Sequence, residues 1–513
     1  MKPIYYIFKE LMYHKNKSKD NFLYFAVFFF VLSLISGPFI PDLIVVLISI
    51  FSVFFYFKKY KKKLFVNNFI KILLIFYLYI LFNSFFSSEK LLSLKSSIPF
   101  LRFIILAVGI CLFIQFKKFK YVIYYSFLFL YILLFFDSLF QLYYGKNLLG
   151  LALMNNRVSS FFGDELILGS FISKTIVILL FLIFDLKLKN FFFHYLLIIS
   201  ISVVLVILSA ERASLLVLFI IIFFSLFYLK PLQFISILVV LSFAIVGTFT
   251  FNNNSYKRLV DHTLNQIVLD GNFNYPSYRH QLHYLSAFEI YKDHKIFGSG
   301  IKTFRELCKN ESYSLKDKIE KDNRVKTKVD GIYITGKRDD IDLLWVSIIS
   351  NETLENPRFQ SHITSKQGGL DSYQKGLFRY GEKNIMFYIN SNNFFVPYVK
   401  NLEKIKKNQE IISLYEFKNG CNTHPHNFYL QFLSELGIIG LLFLLGSYIF
   451  IIYMICKKLL MKFKKNELSS DFILYCNYFA VLFPFIPSGN FFNNYLCLLI
   501  FLPLCMYKLC YIK

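Results

Sequence analysis

About twelve apolar runs of roughly 16–24 residues recur along this chain, and they leave it few ways to fold. A helix of that length covers the roughly 30 Å of a bilayer's hydrocarbon core with every backbone polar group satisfied internally. The runs lie near 22–37, 40–57, 67–86, 97–116, 121–142, 166–185, 190–209, 213–229, 231–251, 428–456, 471–486 and 495–511. One long polar stretch, 252–426, interrupts them. The 513 residues are 56% hydrophobic and 20% aromatic, values that exclude a soluble enzyme and fit a polytopic membrane protein with a polar insert.

The formal net charge of +25 invites a nucleic-acid reading, but its distribution argues otherwise. Lysines gather in short clusters between apolar runs: 58–63, Lys117-Lys118-Phe119-Lys120, Lys187-Leu188-Lys189, Lys230 and 457–465. With the lysines of the N-terminal tail, these all fall on one side of the membrane, which the positive-inside rule makes cytoplasmic. Nucleic acid is therefore not an expected partner; membrane lipid is. The even number of spans predicts both termini in the cytoplasm. The first twenty residues are Lys-rich and no small-residue cleavage site follows the first run, so that run is expected to stay as an anchor.

The expected fold is an all-α polytopic membrane protein of about twelve transmembrane helices with a large outer, periplasmic loop. Residues 1–251 hold the first nine spans, 252–426 the outer loop and 427–513 the last three. Within the loop, 252–307 reads as membrane-proximal helix, with Tyr284 to Tyr291 at helical spacing and Gly298-Ser299-Gly300 as a stop. The 309–420 stretch reads as a small α+β insertion, with strands at 332–335, 343–349 and 386–389.

The candidate chemistry lies on the outer side. In Thr423-His424-Pro425-His426-Asn427, two histidines stand where the polar loop enters a span, and Asn427 is placed to cap the helix that follows. Two histidines at i and i+2 can also ligate zinc, but no H-E-x-x-H or C-x-x-C pattern supplies a further ligand, so no metal is expected. Arg212, at a tight hairpin, can hold a phosphate; its alternative is an interfacial arginine paired with Glu211. Arg279 precedes the amphipathic helix, and Arg157 and Glu165 lie just before a span; alone, each reads as a loop charge. Asp137 and Lys174 fall at similar depth in adjacent spans and are expected to pair or to reach a polar outer cavity. Otherwise midplane charges are few, which counts against a transporter.

Taken in order, Arg157 to Ser170, Glu211-Arg212-Ala213-Ser214-Leu215, Arg279, 292–304, His424-Pro425-His426-Asn427-Phe428-Tyr429-Leu430-Gln431, Glu435-Leu436-Gly437 and Pro487-Ser488-Gly489 resemble the motifs of the O-antigen ligase and polymerase superfamily. The resemblance runs from about residue 20 to the C-terminus, and the His-x-His-Asn element is its most specific part. It implies a membrane glycosyltransferase that moves a glycan from an undecaprenyl-diphosphate carrier to an outer-face acceptor. The acceptor is lipid A-core for a ligase and a second lipid-linked repeat for a polymerase. It implies no cofactor and no metal, with Arg212, Arg279 and Arg157 holding the diphosphate and a loop histidine as base, His426 first and His424 as the alternative. Arg212 and Arg279 are expected to converge with His426 on one pocket. Glu165, Glu211 and Asn427 are expected to support the site. Displacement without a covalent nucleophile inverts the anomeric centre.

The 309–420 insertion departs from the family pattern and either selects the acceptor or elaborates the surface. Cys308 and Cys421 flank it and are the two cysteines of the outer segment, where an oxidising compartment predicts a disulfide; the other six cysteines read as small apolar residues. Two further function classes stay open on the sequence. A flippase or other transporter would need a broad charged cavity. A sensor would tolerate loss of the histidines and arginines.

Overall fold

The computed structural model describes residues 17–59, 68–114, 117–153, 157–269, 272–273, 275–308, 310, 312–313 and 421–507, together with strand segments between 326 and 412. They divide into two compact units, Met1–Asn265 with Ile296–Lys302 and Asn427–Lys513, and Gln266–Lys295 with Thr303–His426.

The first unit is built of helices: α1 (Lys17–Ser33), α2 (Phe39–Lys59), α3 (Asn68–Phe85), α4 (Lys90–Ile114), α5 (Lys117–Tyr144), α6 (Leu168–Leu186), α7 (Phe191–Ser209), α8 (Arg212–Ser225) and α9 (Pro231–Phe251). After the second unit come α11 (Phe428–Lys465), α12 (Phe472–Val481) and α13 (Asn494–Leu504). Among the described residues, seven helices are long and apolar enough to cross a membrane: α3, α4, α5, α6, α7, α9 and α11. Shorter apolar helices occupy the other expected positions. The late ones are short for a visible reason. The chain after α12 turns through Pro484 and Pro487, and α13 carries Pro503 in its last turn, where the ring removes a helical hydrogen bond.

Burial separates the helices by role. α6 is the most enclosed of these seven helices, with 78% of it buried in protein, so it is the centre of the unit. α9 has only 17% enclosed and exposes Leu232, Phe243 and Phe251, a surface that suits lipid and not water.

The lysine clusters converge at one end of this unit. Lys120 pairs with Asp185 at the end of α6, and Ser470 donates to the same carboxylate at 3.1 Å. Lys458 pairs with Asp471 at 2.7 Å, and Tyr228 donates to the Ser469 carbonyl at 2.7 Å. The clusters around 117–120, 187–189, 230 and 457–465 therefore share one face, opposite the start of α6.

Asp137 and Lys174 do not form the expected pair. Spacing gave their depth but not the direction each faces. The Asp137 carboxylate accepts from Ser160 Oγ at 2.5 Å, the Leu148 amide at 2.9 Å and Asn147 Nδ2 at 3.4 Å, and so ties down the loop before α6. Lys174 Nζ donates to Ser170 Oγ, one turn earlier on its own helix, at 2.6 Å.

Asn427 caps α11: its side chain accepts from the Tyr429 amide at 2.9 Å and the Leu430 amide at 3.2 Å. Ten residues on, the helix kinks at Gly437, where φ is 66°. The kink frees carbonyls that the Ile296–Lys302 segment takes up. The Ser299 amide donates to the Ser434 carbonyl at 3.0 Å and the Gly300 amide to the Glu435 carbonyl at 2.9 Å. Backbones meet so closely here that a Cβ on Gly437 would lie 2.3 Å from the Ile296 carbonyl oxygen, and one on Gly298 would lie 2.4 Å from that of Glu435. Asn83 and Tyr79 of α3 donate to carbonyls of the same junction, at Phe297 and Leu436. The sequence places 296–302 in the outer segment, whereas its hydrogen bonds make it part of the helical unit.

The second unit contains α10 (Tyr278–Asp293), a short turn of helix at Phe304–Leu307, and a sheet. The sheet strands are β1 (Ile332–Arg338), β2 (Leu343–Ile348), β3 (Thr364–Lys366), β4 (Leu370–Tyr380), β5 (Lys383–Asn390) and β6 (Asn393–Pro397). They are antiparallel in the order β1-β2-β6-β5-β4-β3, with Trp345 opposite Phe395 and Phe387 opposite Gly376. The three strand readings from the sequence fall on β1, β2 and β5. No helix falls on the described residues between 309 and 420. Cys308 and Cys421 are joined by a disulfide with a Cα–Cα distance of 5.0 Å across 113 residues. Cys476, Cys497 and Cys505 are free and buried among apolar side chains.

Candidate functional site

Two groups of side chains stand out, one in each unit. In the first, the carbonyl end of α7 is the organising element. Arg157 Nε donates to the Ser209 carbonyl at 2.8 Å and its Nη2 to the Leu166 carbonyl at 3.2 Å. Arg258 Nε donates to the next carbonyl, Ala210, at 3.3 Å. A helix C-terminus presents unpaired carbonyls and the negative end of its dipole, so two guanidinium groups are well satisfied there. Both are anchored through Nε, and the Arg157 fork is held further by the Leu166 carbonyl.

The nearby carboxylate has its own work. Glu211 accepts from the Gly169 amide at 2.8 Å, the Ser170 amide at 2.9 Å and Ser214 Oγ at 2.8 Å, which closes the N-terminus of α6. A Cβ on Gly169 would lie 2.4 Å from Ser209 Oγ, so glycine lets α6 come this close. Arg157 Nη2 lies 3.9 Å from Glu211 Oε1, a loose ion pair. Burial pushes the Glu211 carboxyl up, against the pull of Arg157, Ser214, Lys174 and Gly169. Burial, with Arg258 and Arg212 as like-charged neighbours, pushes Arg157 down to about 10, while Glu211 opposes the shift. Arg258 moves down for the same reason, burial, again opposed by Glu211. The Arg157 and Arg258 guanidinium groups and the Lys174 ammonium thus act on one carboxylate, with Arg212 near Arg157 and Arg258, an excess of positive charge that suits an anion with several oxygens. Glu165 is exposed at the end of its turn.

In the second unit, three imidazoles gather around His426. Ring centroids lie 4.1 Å away for His424, 5.2 Å for His280 and 5.4 Å for His283. His280 and His283 are one turn apart on α10, and His283 is buried. Ser277, just before α10, lies 2.7 Å from His280 Nδ1, and Thr423 Oγ1 lies 2.9 Å from His424 Nδ1. Asn422 Nδ2 lies 3.0 Å from His426 Nε2. His426 has φ of 58°, a left-handed conformation unfavourable by about 1–3 kcal/mol for a residue with a Cβ. Burial, then the three neighbouring imidazoles, pushes His426 down to about 2, so it is neutral. Among the described residues, no group of three or more His, Cys, Asp or Glu is arranged to hold a metal ion.

Of the residues expected from sequence, Arg157, Arg212 and Glu211 fall in one cluster, and His424 and His426 in the other. Arg279 lies in the first turn of α10, but its side chain is outside the described residues, and with it the expected convergence with Arg212. Three residues were not singled out. Arg258 hides in the polar run 252–258, which reads as a solvated loop. His280 and His283 flank Gln281-Leu282, and their i, i+3 spacing is the signal that could have found them.

Comparison with curated proteins and with solved structures gives no match. Comparison with family models matches residues 196–333 to the family described as O-antigen ligase, a stretch that holds Glu211, Arg212, Arg258, His280, His283 and Gly298 and ends before His424. That match makes this part of the chain similar to the O-antigen ligase family and supports the resemblance read from the motifs.

Proposed function

We propose that this protein transfers a glycan from an undecaprenyl-diphosphate carrier to an acceptor on the periplasmic face of the inner membrane. It attaches O-antigen to lipid A-core or joins a second lipid-linked repeat. The membrane unit spans the bilayer about twelve times with both termini cytoplasmic, and 252–426 is periplasmic. The observation that carries this reading is the cluster of Arg157, Arg212 and Arg258 near Glu211, a concentration of fixed positive charge in a chain whose residues 196–333 match the O-antigen ligase family.

Arg157, Arg212 and Arg279, with Arg258 added, hold the diphosphate and stabilise the charge that develops as it leaves, without a metal. His426 accepts the proton of the acceptor hydroxyl, with His424 as the alternative base. The acceptor oxygen bonds to the anomeric carbon as the carbon–oxygen bond to the diphosphate breaks, and the carrier leaves with the electron pair. The anomeric centre inverts. A neutral imidazole is the form a base needs, and an anionic substrate beside it raises its affinity for the proton as the reaction begins.

The experiment is deletion of the gene and complementation with single variants, read as surface-glycan bands. Loss of all glycan-capped lipid marks a ligase; lipid carrying a single repeat marks a polymerase. Unchanged bands in the deletion strain would refute both.

A further inference from the structure

The histidine cluster contains a residue that decides which nitrogen of His426 carries a proton. The Thr423 amide donates to Asn422 Oδ1 at 2.7 Å. That bond fixes the orientation of the Asn422 amide, because flipping it would set an NH₂ group against the Thr423 N–H. With Oδ1 so held, the group 3.0 Å from His426 Nε2 is Nδ2, a donor. Nε2 must therefore be the unprotonated nitrogen, and the ring proton sits on Nδ1.

We propose that Asn422 is a positioning residue: keyed by Thr423, it selects the Nδ1–H tautomer of His426 and keeps Nε2 unprotonated until the acceptor hydroxyl displaces the amide. The proposal rests on His426 being the base. Nε2 has a single in-plane lone pair, and Asn422 Nδ2 occupies it. An acceptor hydroxyl reaching His426 must displace the amide and take its place. The proton then passes from the hydroxyl oxygen to Nε2, giving an imidazolium with both nitrogens protonated, while the oxygen bonds to the anomeric carbon. Before that step the amide also opposes imidazolium formation, since Nε2–H would face Nδ2–H. Among the described residues, the other titratable groups that face the ring are His424 from its own loop and His280 and His283 from α10, and none of these is an acid that would favour the charged form. The disulfide keeps this loop in place, with Cys308 Sγ 3.7 Å from the Asn422 carbonyl oxygen.

Asn422→Asp tests this with almost no change of shape. A carboxylate accepts where the amide donates, so it favours Nε2–H and the imidazolium. The variant is expected to lose about 100-fold or more in transfer rate in membranes, within the roughly 10²–10⁴-fold that a general base contributes. Its activity should also acquire an acidic limb above pH 6 where the native protein is flat. Asn422→Ala frees the tautomer and should lose less, about tenfold, with no new limb. Equal losses in both variants with the native pH profile would make Asn422 merely structural and overturn the proposal, as would a rate within threefold of native in Asn422→Asp. A second measurement needs no active variant. In native protein with ¹⁵N-labelled histidine rings, the His426 resonances, identified by their loss in His426→Gln, should show an unprotonated Nε2; an Nε2–H would refute the tautomer outright. Full activity in His426→Ala would instead sink the base assignment and leave the tautomer result standing on its own.

Discussion

Arg157 and Arg258 are fastened to the carbonyl end of a buried membrane helix; His426 stands in a loop closed by a disulfide. The two groups solve opposite electrostatic problems. Guanidinium stays charged through burial, so the protein has only to satisfy and aim it, and helix carbonyls do both. Imidazole changes charge readily, so its state is set by its surroundings, and burial, with three other imidazoles and an amide beside it, keeps it neutral. Fixed charge is anchored on a helix end, whereas adjustable charge sits in irregular backbone that a covalent link must hold. The histidine side should therefore be sensitive to pH and to reduction, and the arginine side to geometry.

The largest effect expected is that of His426→Ala, which removes the proposed base and should reduce transfer by roughly 10²–10⁴-fold at unchanged membrane abundance. His424→Ala should be milder; the reverse order, measured in the same transfer assay, would exchange the two roles. Next comes the arginine side. Arg258→Lys keeps the charge but loses both the Nε anchor on Ala210 and the planar fork, and should cost on the order of 10-fold, with Arg258→Ala nearer 10²-fold. If Lys restored full rate, net charge alone would suffice and the contrast drawn above would fail.

The disulfide gives a smaller effect. Cys308→Ser with Cys421→Ser removes a link across 113 residues, worth at most about 4.7 kcal/mol in the chain-entropy picture. Its melting point should fall and its rate drop severalfold, while lipid-diphosphate binding at the arginines is retained. Loss of that binding would show that the two sides are not separable. The smallest effect concerns pH. A histidine of ordinary pKa would lose base activity below about pH 6.5, whereas His426, lowered to about 2, should keep the native rate nearly flat between pH 8 and pH 6. The stability linkage has the same direction. Between the folded value of about 2 and an unfolded value near 6.5, the unfolded chain binds the extra proton, so stability rises with pH by up to about 1.4 kcal/mol per unit and levels off above 6.5. Unfolding midpoints at pH 5 and pH 7.5 in native protein and in His426→Gln would measure it; identical pH dependence in both would remove the effect.

Much of the scaffold was legible from the chain alone, because the rules involved are local. Apolar run length located the helices, the lysine clusters predicted their shared face, and an asparagine ahead of an apolar run marked the start of α11. β-branched and aromatic runs found β1, β2 and β5. What escaped depends on direction around a helix or on contacts distant in sequence. Asp137 and Lys174 were matched in depth, yet each faces a different partner. Arg258 becomes informative only when α7 ends beside it. Gly298 and Gly437 looked like a stop signal and a helix residue, and only their mutual approach explains both.

That approach bears on how a chain of this kind can diversify. Ile296–Lys302 and the kinked start of α11 are stitched to each other within the helical unit, so the polypeptide leaves and re-enters it at fixed points. With the ends fixed, the length between them matters little: each doubling of a flexible connection costs only about 0.6 kcal/mol. The sheet-bearing segment can be lengthened, trimmed or exchanged without disturbing the register of the membrane helices. The segment between can thus vary while the arginine cluster of Arg157, Arg212 and Arg258 stays as it is.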